Sequence, residues 1–233
     1  MIDIHTHILP GLDDGCENFE QAISLLTDAV NQKVTDLFLT PHRRKVFNAD
    51  ESAIKKQYKL LCDMAKNKGL NINLYYGQEI FVDRDFKKLL NDKEVVGLGG
   101  SNVLLLEFDY FKRTDIAEIC YETKCRGYIP VCAHVERYDY FSVEEAVEVK
   151  DVGGFIQVNA GSFVKKFARK EYKRALKLLN EKLVDFVASD THFTRGNMLS
   201  SAKEVIVKRY GEQTANDVFY NNAKEIILDK IKG

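Results

Sequence analysis

The hydrophobic positions of the chain fall into two alternating kinds of pattern. Short runs of β-branched and aliphatic residues, mostly continuous rather than interrupted by polar ones, predict parallel strands covered on both faces. Such runs occur at residues 1–5, 35–40, 71–76, 103–107, 128–133, 154–159 and 184–189. The stretches between them carry apolar residues at helical spacing. The pattern therefore predicts alternating strands and helices.

Polar residues mark the ends of several predicted helices. Asp50 is predicted to cap a helix that ends near Gly69. Thr114 is predicted to cap a helix that stops at Gly127. Three more helices are predicted at 170–181, 197–210 and 213–231, the last with a break near Asn221 and Asn222.

The order of these elements predicts one α/β domain over residues 1–233. A length of 233 residues suits a single core, and no Pro/Ser-rich linker or internal repeat divides the chain. Successive βα units imply a parallel sheet with right-handed crossovers, either open or closed into a barrel. In both cases functional side chains are expected just after the strands, where the βα loops gather.

The ligand-type side chains follow that expectation. All five histidines come directly after predicted strands, together with several carboxylates: His5, His7, His42, His134 and His192, with Asp13, Asp14, Glu79, Glu107 and Asp190. The His-x-His pair at the end of the first strand places both rings on one side, because side chains alternate with period two. Imidazole with carboxylate suits Zn, Mn or Fe. The set exceeds what one ion can use, so two or three divalent ions and phosphoester hydrolysis are predicted.

Composition narrows the possible partners. The chain has 34 basic and 35 acidic residues and a net charge of −1, which argues against nucleic-acid binding and against a nuclease. No apolar run reaches the roughly 18–20 residues of a membrane span, and the N-terminus lacks signal-peptide features. Five cysteines at irregular spacings argue against a disulfide framework and favour a reducing, cytoplasmic location.

The motifs around the ligand-type residues resemble those of a known superfamily. They are His5-Thr6-His7, Thr40-Pro41-His42, Gly77-Gln78-Glu79, Leu106-Glu107-Phe108, Ala133-His134-Val135-Glu136-Arg137 and Ser189-Asp190-Thr191-His192. The sequence resembles the PHP (polymerase and histidinol phosphatase) superfamily and, more narrowly, the CpsB/YwqE-type manganese-dependent protein-tyrosine phosphatases of Gram-positive bacteria. The resemblance implies a distorted seven-stranded (βα)7 TIM-like barrel.

The same resemblance implies a site with three metal ions, with Mn as the expected metal and Fe or Zn as alternatives. The first ion would take His5, His7, Glu79 and Asp190, the second would share Glu79 and add Glu107 and His134, and the third would take Asp14, His42 and His192.

The resemblance also implies how substrate is handled. Arg137 and Arg195 would bind phosphate, although the segment from Asp190 to Arg195 is shorter than is usual in the family. A metal-activated hydroxide would attack phosphorus without a covalent phosphoenzyme. The candidate proton donors are His42 and a metal-bound water. The implied substrate is phosphotyrosine on a bacterial tyrosine kinase that controls capsule or exopolysaccharide synthesis.

Several residues keep two interpretations at this stage. The basic run of Arg43, Arg44 and Lys45 either docks a phosphorylated peptide or is a solvated loop. Asn159 either supports the metal ligands or closes a strand end. Glu136 either orients its neighbours or lies in an exposed loop, and Asp13 either binds metal or caps the following helix.

Other functions compete with the tyrosine phosphatase. The chain also fits a histidinol-phosphate phosphatase or another PHP phosphomonoesterase. A regulatory module without turnover is a third alternative, and the intact ligand set argues against it.

The segment from Cys120 to Arg126 matches the Cys-x5-Arg pattern of cysteine-dependent phosphatases. Its bulky residues lack the glycines that a phosphate-binding loop needs, so we expect Cys120 to be a packing residue.

Overall fold

Parallel strands form the centre of the protein. A computed structural model describes residues 1–164 and 169–231. Within these residues the strands are β1 (Ile2–Asp3), β2 (Asp36–Leu39), β3 (His42–Arg44), β4 (Phe47–Asn48), β5 (Asn73–Tyr76), β6 (Glu79–Phe81), β7 (Val103–Glu107), β8 (Ile129–Cys132), β9 (Phe155–Asn159) and β10 (Phe186–Ala188). They form two sheets, in the orders β1-β2-β5 and β10-β9-β8-β7-β6-β3-β4. The pairs are parallel except for the β3–β4 hairpin.

The two sheets combine into one closed barrel. Strand β2 continues into β3 beyond Pro41, and β5 continues into β6 beyond Gly77. Each of these two pairs of segments therefore forms one long barrel strand that belongs to both sheets. The barrel closes between β1 and β10, where the Asp190 amide donates to the His5 carbonyl at 2.9 Å and the His7 amide donates to the Thr191 carbonyl at 2.9 Å. The predicted seven-stranded barrel is therefore confirmed, and the open-sheet alternative is wrong.

All seven predicted strands are present, although most are shorter than predicted. Strands β3, β4 and β6 were not predicted from the hydrophobic pattern. They are short, and β3 is mostly basic, so they give no apolar run. Pro41 has no amide hydrogen to donate, which separates β3 from β2 although both follow the same line of the barrel.

Helices surround the barrel. They are α1 (Phe19–Asn31), α2 (Glu51–Asn67), α3 (Phe86–Asp92), α4 (Ile116–Cys125), α5 (Val143–Asp151), α6 (Gly161–Val164), α7 (Arg169–Asn180), α8 (Leu199–Asn216) and α9 (Asp229–Ile231). Among the described residues no helix has the length and apolar character to cross a membrane.

The helix caps agree only partly with prediction. Asp50 caps α2, and its Oδ1 accepts from the Ala53 amide at 2.8 Å. The prediction of Thr114 as the cap of α4 is wrong. Asp115 takes that position and accepts from the Glu118 amide at 3.0 Å, because the Thr114 hydroxyl donates backwards to the Lys112 carbonyl.

The C-terminal helical segment has one of the two interruptions that the sequence predicted. Asn222 keeps right-handed helical angles, between two π-helical turns at Asp217–Asn221 and Lys224–Leu228. Gly211 is not helical, with a φ of 88° that glycine adopts at little cost, and it lies in the gap between the helices predicted at 197–210 and 213–231, so that boundary is confirmed. The predicted break near Asn221 and Asn222 is therefore wrong, since these residues adopt a wider helical turn instead.

The C-terminal segment also closes one end of the barrel. Ala223 and Ile227 belong to the same buried cluster as Ile2, Phe38 and Leu105 from the barrel interior. The Asn222 amide group donates to the carbonyl of Asp185, which precedes β10. Because this end holds the starts of the strands, the opposite end remains for the ligand-type side chains.

The Cys-x5-Arg segment forms the second half of α4 and its cap. Cys120 is buried, with its Sγ 3.5 Å from the Sγ of Cys132 on β8. Arg126 is the C-cap and binds the Asn91 side chain and the Glu122 carbonyl. A cysteine within a helix, packed against a strand, has no loop of amides for phosphate, so the packing role of Cys120 agrees with the structure.

Candidate metal centre

The carboxyl ends of the barrel strands bring the candidate ligands together. Four overlapping groups each place one ligand atom per residue within 4.8 Å of the others: His7, Asp14, His42 and His192; His5, His7 and Asp190; His5, Glu79 and His134; and His42, Glu79 and Glu107. Every member except Asp14 is buried. All nine residues of the implied ligand set thus lie in one continuous cluster.

The His5 and His7 rings direct their Nε2 atoms towards each other at 3.1 Å. His5 Nδ1 lies 3.1 Å from Gln157 Oε1, which also accepts from the His134 amide, and His7 Nδ1 lies 2.6 Å from Asp13 Oδ2. Both partners are acceptors, so each Nδ1 is placed to donate a proton and each Nε2 is the atom that would bind a metal ion. A cation between the two Nε2 atoms would stabilise this arrangement.

Two carboxylates complete this part of the cluster. Glu79 Oε2 lies 3.4 Å from His5 Nε2 and 3.3 Å from His7 Nε2, and Asp190 Oδ1 lies 3.7 and 3.5 Å from the same two atoms. The other oxygen of Glu79 lies 2.8 Å from His134 Nε2. Glu79 is thus placed to bridge two ions, as one carboxylate can.

A second concentration of ligands surrounds His42. Its Nε2 lies 3.5 Å from Asp14 Oδ1, and His192 Nε2 lies 3.5 Å from the same oxygen. On the other side, His42 Nδ1 lies 2.8 Å from Glu79 Oε2 and 3.5 Å from Glu107 Oε2. The resemblance grouped Glu107 with His134, whereas the structure groups Glu107 with His42 and Glu79.

Three buried polar atoms at the centre have no hydrogen bond of acceptable geometry. They are Glu79 Oε2, Glu107 Oε2 and His42 Nδ1. Burying polar atoms without partners is costly, and native proteins rarely leave them so. All three atoms are good donors to divalent ions. The residues present therefore fit a metal centre.

The electrostatics keep some of the candidate ligands in the form that binds metal, because ligand atoms must be free of protons, and they protonate others. Burial raises the pKa of Glu107 to about 7, whereas for His5 and His7 the charges of Glu79 and Asp13 outweigh burial and raise the pKa. Burial raises the pKa of Glu79, but the charges of His5 and His42 outweigh burial and hold it well below its ordinary value. Burial lowers the pKa of His134 to about 4 and that of His192 to about 4. Both rings are neutral at physiological pH.

Two of the candidate ligands have unusual backbone angles. His134 has a φ of 33° and Asp190 a φ of 50°, a region that residues other than glycine rarely adopt. The Gln157 side chain accepts from the His134 amide, and the His5 carbonyl accepts from the Asp190 amide. Strain held by specific hydrogen bonds is typical of functional sites.

Two arginines lie beside the cluster. Arg137 Nη1 lies 3.4 Å and Arg195 Nη1 lies 3.1 Å from Asp190 Oδ2, and the Asn159 amide group donates to the same oxygen at 2.8 Å. Arg195 Nη2 also lies 3.1 Å from His192 Nε2. Both guanidinium groups line a cleft of about 170 Å³ that opens beside Asp190. The shortened segment therefore does not keep Arg195 away from the cluster.

The basic run after His42 is divided between two faces of β3. Arg44 Nη1 lies 3.8 Å from Glu107 Oε2, on the side of the cluster. Arg43 points the other way, where it donates to Asn48 at 2.9 Å and lies 3.7 Å from Glu94. Alternation along the strand accounts for this division. Of the two arginines predicted to dock substrate, only Arg44 lies near the candidate ligands.

The structure decides between the two interpretations that the sequence allowed for Glu136 and for Asp13. Glu136 is fully buried and accepts from the Ser162 hydroxyl at 2.7 Å and from the Asn159 amide at 3.1 Å, so the exposed-loop alternative is wrong. Asn18, rather than Asp13, caps α1. Asp13 instead holds His7, so the helix-cap alternative is also wrong, because a loop separates Asp13 from the helix.

Sequence reasoning missed Gln157 and Tyr110. Gln157 lies two residues before Asn159 on β9 and donates to it at 2.8 Å, so the period of two along a strand was an available signal. Tyr110 follows β7 in a loop, donates to Glu107 at 3.1 Å and stacks on His134. An aromatic residue in a loop gives no comparable signal in a single sequence.

A parallel barrel with clustered histidines and carboxylates at the carboxyl ends of its strands defines a PHP-type, TIM-barrel-like protein with a candidate multinuclear metal centre. The particular family is identified by a family model for capsular polysaccharide synthesis proteins, CpsB/CapC, which matches residues 1–228. The chain belongs to this family. The resemblance found in the motifs is thereby confirmed.

Known relatives cover nearly the whole chain. Tyrosine-protein phosphatase CpsB of Streptococcus pneumoniae is 33% identical over 246 residues, covering 99% of this chain and 100% of the relative. Tyrosine-protein phosphatase YwqE of Bacillus subtilis is 29% identical over 219 residues, covering 91% of this chain and 86% of the relative.

Solved structures agree with the fold. A chain from the crystal structures of YwqE from B. subtilis and CpsB from S. pneumoniae, described as unique metal-dependent tyrosine phosphatases, superposes with a TM-score of 0.91 at 27% identity. That match covers 99% of this chain and 95% of the other. Histidinol phosphate phosphatase from Lactococcus lactis matches with a TM-score of 0.60 at 16% identity, over 88% of this chain and 93% of that one, which shows a shared fold alone.

Proposed function

We propose that this protein is a metal-dependent protein-tyrosine phosphatase that hydrolyses phosphotyrosine on a protein of capsular or exopolysaccharide synthesis. The observation that carries the proposal is the cluster of candidate ligands beside Arg137 and Arg195, in a chain 33% identical over its length to a tyrosine-protein phosphatase. A bacterial tyrosine kinase is the partner that we propose. Five free cysteines support the cytoplasm as its compartment.

The proposed cofactor is two to three divalent ions, with Mn ahead of Fe and Zn. His5, His7 and Asp190 would hold one ion together with Glu79, and His42, His192 and Asp14 would hold another. Glu79 offers a third position, shared either with His5 and His134 or with His42 and Glu107. Divalent ions bound here would supply Lewis acidity towards phosphate and lower the pKa of water.

The chain's own residues would bind and orient the phosphate. Arg137 and Arg195 present guanidinium groups on the same side of Asp190, where they would neutralise charge on the phosphate oxygens. Asn159 fixes the Asp190 carboxylate between them.

His42 fits the role of ligand better than that of proton donor. Both of its ring nitrogens face carboxylate oxygens, of Glu79 at 2.8 Å and of Asp14 at 3.5 Å. A ring nitrogen that holds a metal ion carries no proton to give. Tyrosinate leaves readily, since the pKa of free tyrosine is about 10, so a solvent proton suffices.

The test is a comparison of substrates and metals on one preparation. Chelator-treated protein is expected to lose activity towards a phosphotyrosine peptide and to regain it with Mn²⁺, with Fe²⁺ and Zn²⁺ assayed in parallel. The kcat/KM for the phosphotyrosine peptide is expected to exceed that for histidinol phosphate and for a phosphoserine peptide. Persistent activity in metal-free protein, or a preference for histidinol phosphate, would contradict the proposal. Elemental analysis showing fewer than two ions per chain would contradict the multinuclear centre.

A further inference from the structure

Tyr110 lies in the loop after β7 and touches both halves of the proposed site. Its ring is stacked on the imidazole of His134, with centroids 5.8 Å apart and planes inclined by 20°. The guanidinium carbon of Arg137 lies 4.6 Å from the centroid of the same ring. One side chain therefore contacts a candidate metal ligand and a candidate phosphate-binding group.

The hydroxyl of Tyr110 makes a third contact. It donates to Glu107 Oε1 at 3.1 Å, whereas Glu107 Oε2 has no hydrogen bond and faces His42 Nδ1 at 3.5 Å. The phenol thus fixes one carboxylate oxygen and leaves the other directed into the cluster. Ligand carboxylates commonly depend on such a hydrogen bond for their orientation.

The ring of Tyr110 also limits the positions open to Arg137. This arginine is partly exposed, and its other contact in the cluster is a 3.4 Å approach to Asp190 Oδ2. An arginine side chain that is held only at its tip would lose much rotamer entropy on binding phosphate. Contact with an aromatic face supplies a cation–π attraction and a fixed surface, so the guanidinium is oriented before substrate arrives.

We propose that Tyr110 is a positioning residue that orients Glu107 through its hydroxyl and Arg137 through its ring. The part concerning Arg137 rests on the proposed function, because it concerns phosphate binding. The part concerning Glu107 rests only on the metal centre, so the two parts can fail separately.

Two substitutions separate the hydroxyl from the ring. Tyr110→Phe removes only the hydrogen bond to Glu107, and Tyr110→Leu removes the aromatic face as well. Tyr140→Phe is the matched control. Tyr140 belongs to the same aromatic cluster, stacked on Tyr138, but its hydroxyl donates to the carbonyl of Asp109 and contacts no candidate ligand.

The readouts are Mn²⁺ affinity, measured by titration calorimetry on chelator-treated protein, and kcat and KM with a phosphotyrosine peptide at saturating Mn²⁺. Tyr110→Phe is expected to weaken Mn²⁺ binding by about 10-fold and to leave KM unchanged. Tyr110→Leu is expected to weaken Mn²⁺ binding similarly and to raise KM by about 3- to 5-fold. Tyr140→Phe is expected to match the wild type in both.

A double substitution tests the route through Arg137. In an Arg137→Ala background, Tyr110→Leu is expected to raise KM no further, because the group that it orients is gone. A further rise there, or an unchanged KM in Tyr110→Leu alone, would overturn the role of the ring. Wild-type Mn²⁺ affinity in Tyr110→Phe would overturn the role of the hydroxyl.

Failure of the proposed function would look different. Wild-type protein would then lack phosphotyrosine hydrolysis with every metal tested, while the calorimetry would still test the hydrogen bond from Tyr110 to Glu107.

If Tyr110→Leu does not fold, as judged by circular dichroism, Tyr110→Trp replaces it, since the larger ring keeps an aromatic face without the phenol. That variant is expected to show weaker Mn²⁺ binding at an unchanged KM, and a raised KM would count against the role of the ring.

Discussion

Gly15 lies directly against the backbone of His7. A β-carbon at residue 15 would come within 1.9 Å of the His7 carbonyl oxygen and 2.6 Å of the His7 β-carbon. Neither atom can move without shifting the strand end that carries the His-x-His pair. The loop of Asp13 and Asp14 therefore approaches the candidate ligand cluster only because residue 15 has no side chain.

We expect Gly15→Ala to displace this loop from His7. The substitution should reduce Mn²⁺ affinity by about 10- to 100-fold, because Asp13 no longer holds His7 and Asp14 no longer reaches the cluster. Calorimetric titration of chelator-treated protein measures the effect. Gly127→Ala is the control, since its β-carbon would meet nothing within 4 Å and its φ of 83° costs only backbone strain, about 1–2 kcal/mol. Equal Mn²⁺ affinity in wild type and Gly15→Ala would contradict this account.

The sequence predicted the positions of the candidate ligands better than the contacts between them. His5 and His134 each follow a strand, and His42 begins β3 just beyond β2. In a parallel barrel the strand ends meet at one rim, so the topology alone brings these residues together. Which nitrogen faces which oxygen depends on side-chain packing. Glu107 lies close to His42 rather than to His134 because of side-chain packing, and no periodicity in the sequence predicts this contact.

Local sequence patterns did not predict the cap of α4 or the strand β3 correctly. Thr114 and Asp115 can both cap a helix, and the backward hydrogen bond of the Thr114 hydroxyl decides between them. Strand β3 escaped prediction because its residues are polar, yet their alternation places Arg44 and Arg43 on opposite faces. These outcomes depend on tertiary neighbours that a single sequence does not show.

Gln157 supports two candidate ligands with one oxygen. We expect Gln157→Leu to leave the His5 Nδ1 hydrogen and the His134 amide without an acceptor in a buried site. The free energy of unfolding should fall by about 2–4 kcal/mol, and Mn²⁺ affinity by about 10- to 100-fold. Urea denaturation and calorimetry measure the two effects. Gln157→Glu keeps an acceptor for both groups and should lose less affinity; equal losses in the two variants would argue against the role of the oxygen.

Glu136 should make stability depend on pH. Burial raises the pKa of Glu136 to about 7 in the folded protein, against 4.5 as its ordinary value. Its contribution to stability is therefore fully present below pH 4.5 and is lost as the pH rises through 7. The loss amounts to about 3 kcal/mol, because one pKa unit corresponds to about 1.4 kcal/mol.

The check for Glu136 is a comparison with Glu136→Gln, which cannot ionise. Urea denaturation in the presence of chelator at pH 5 and pH 8 gives the difference in unfolding free energy between the two proteins. The variant is expected to gain on the wild type as the pH rises. A difference that stays constant between these pH values would show that Glu136 ionises normally in the fold.

Arg44 and Arg43 form a natural pair for testing how substrate docks. Arg44 lies 3.8 Å from Glu107 beside the candidate metal ligands, whereas Arg43 binds Asn48 and Glu94 on the other face of β3. We expect Arg44→Ala to raise the KM for a phosphotyrosine peptide by about 5- to 10-fold with little change in kcat, because a charge-assisted contact contributes about 1–1.5 kcal/mol. Arg43→Ala should leave KM unchanged.

Raising the salt concentration should raise the wild-type KM towards that of Arg44→Ala, since salt screens the attraction between the Arg44 guanidinium and the phosphopeptide. An equal rise in KM in both variants would mean that the whole basic run, rather than the face of β3 that carries Arg44, attracts the peptide.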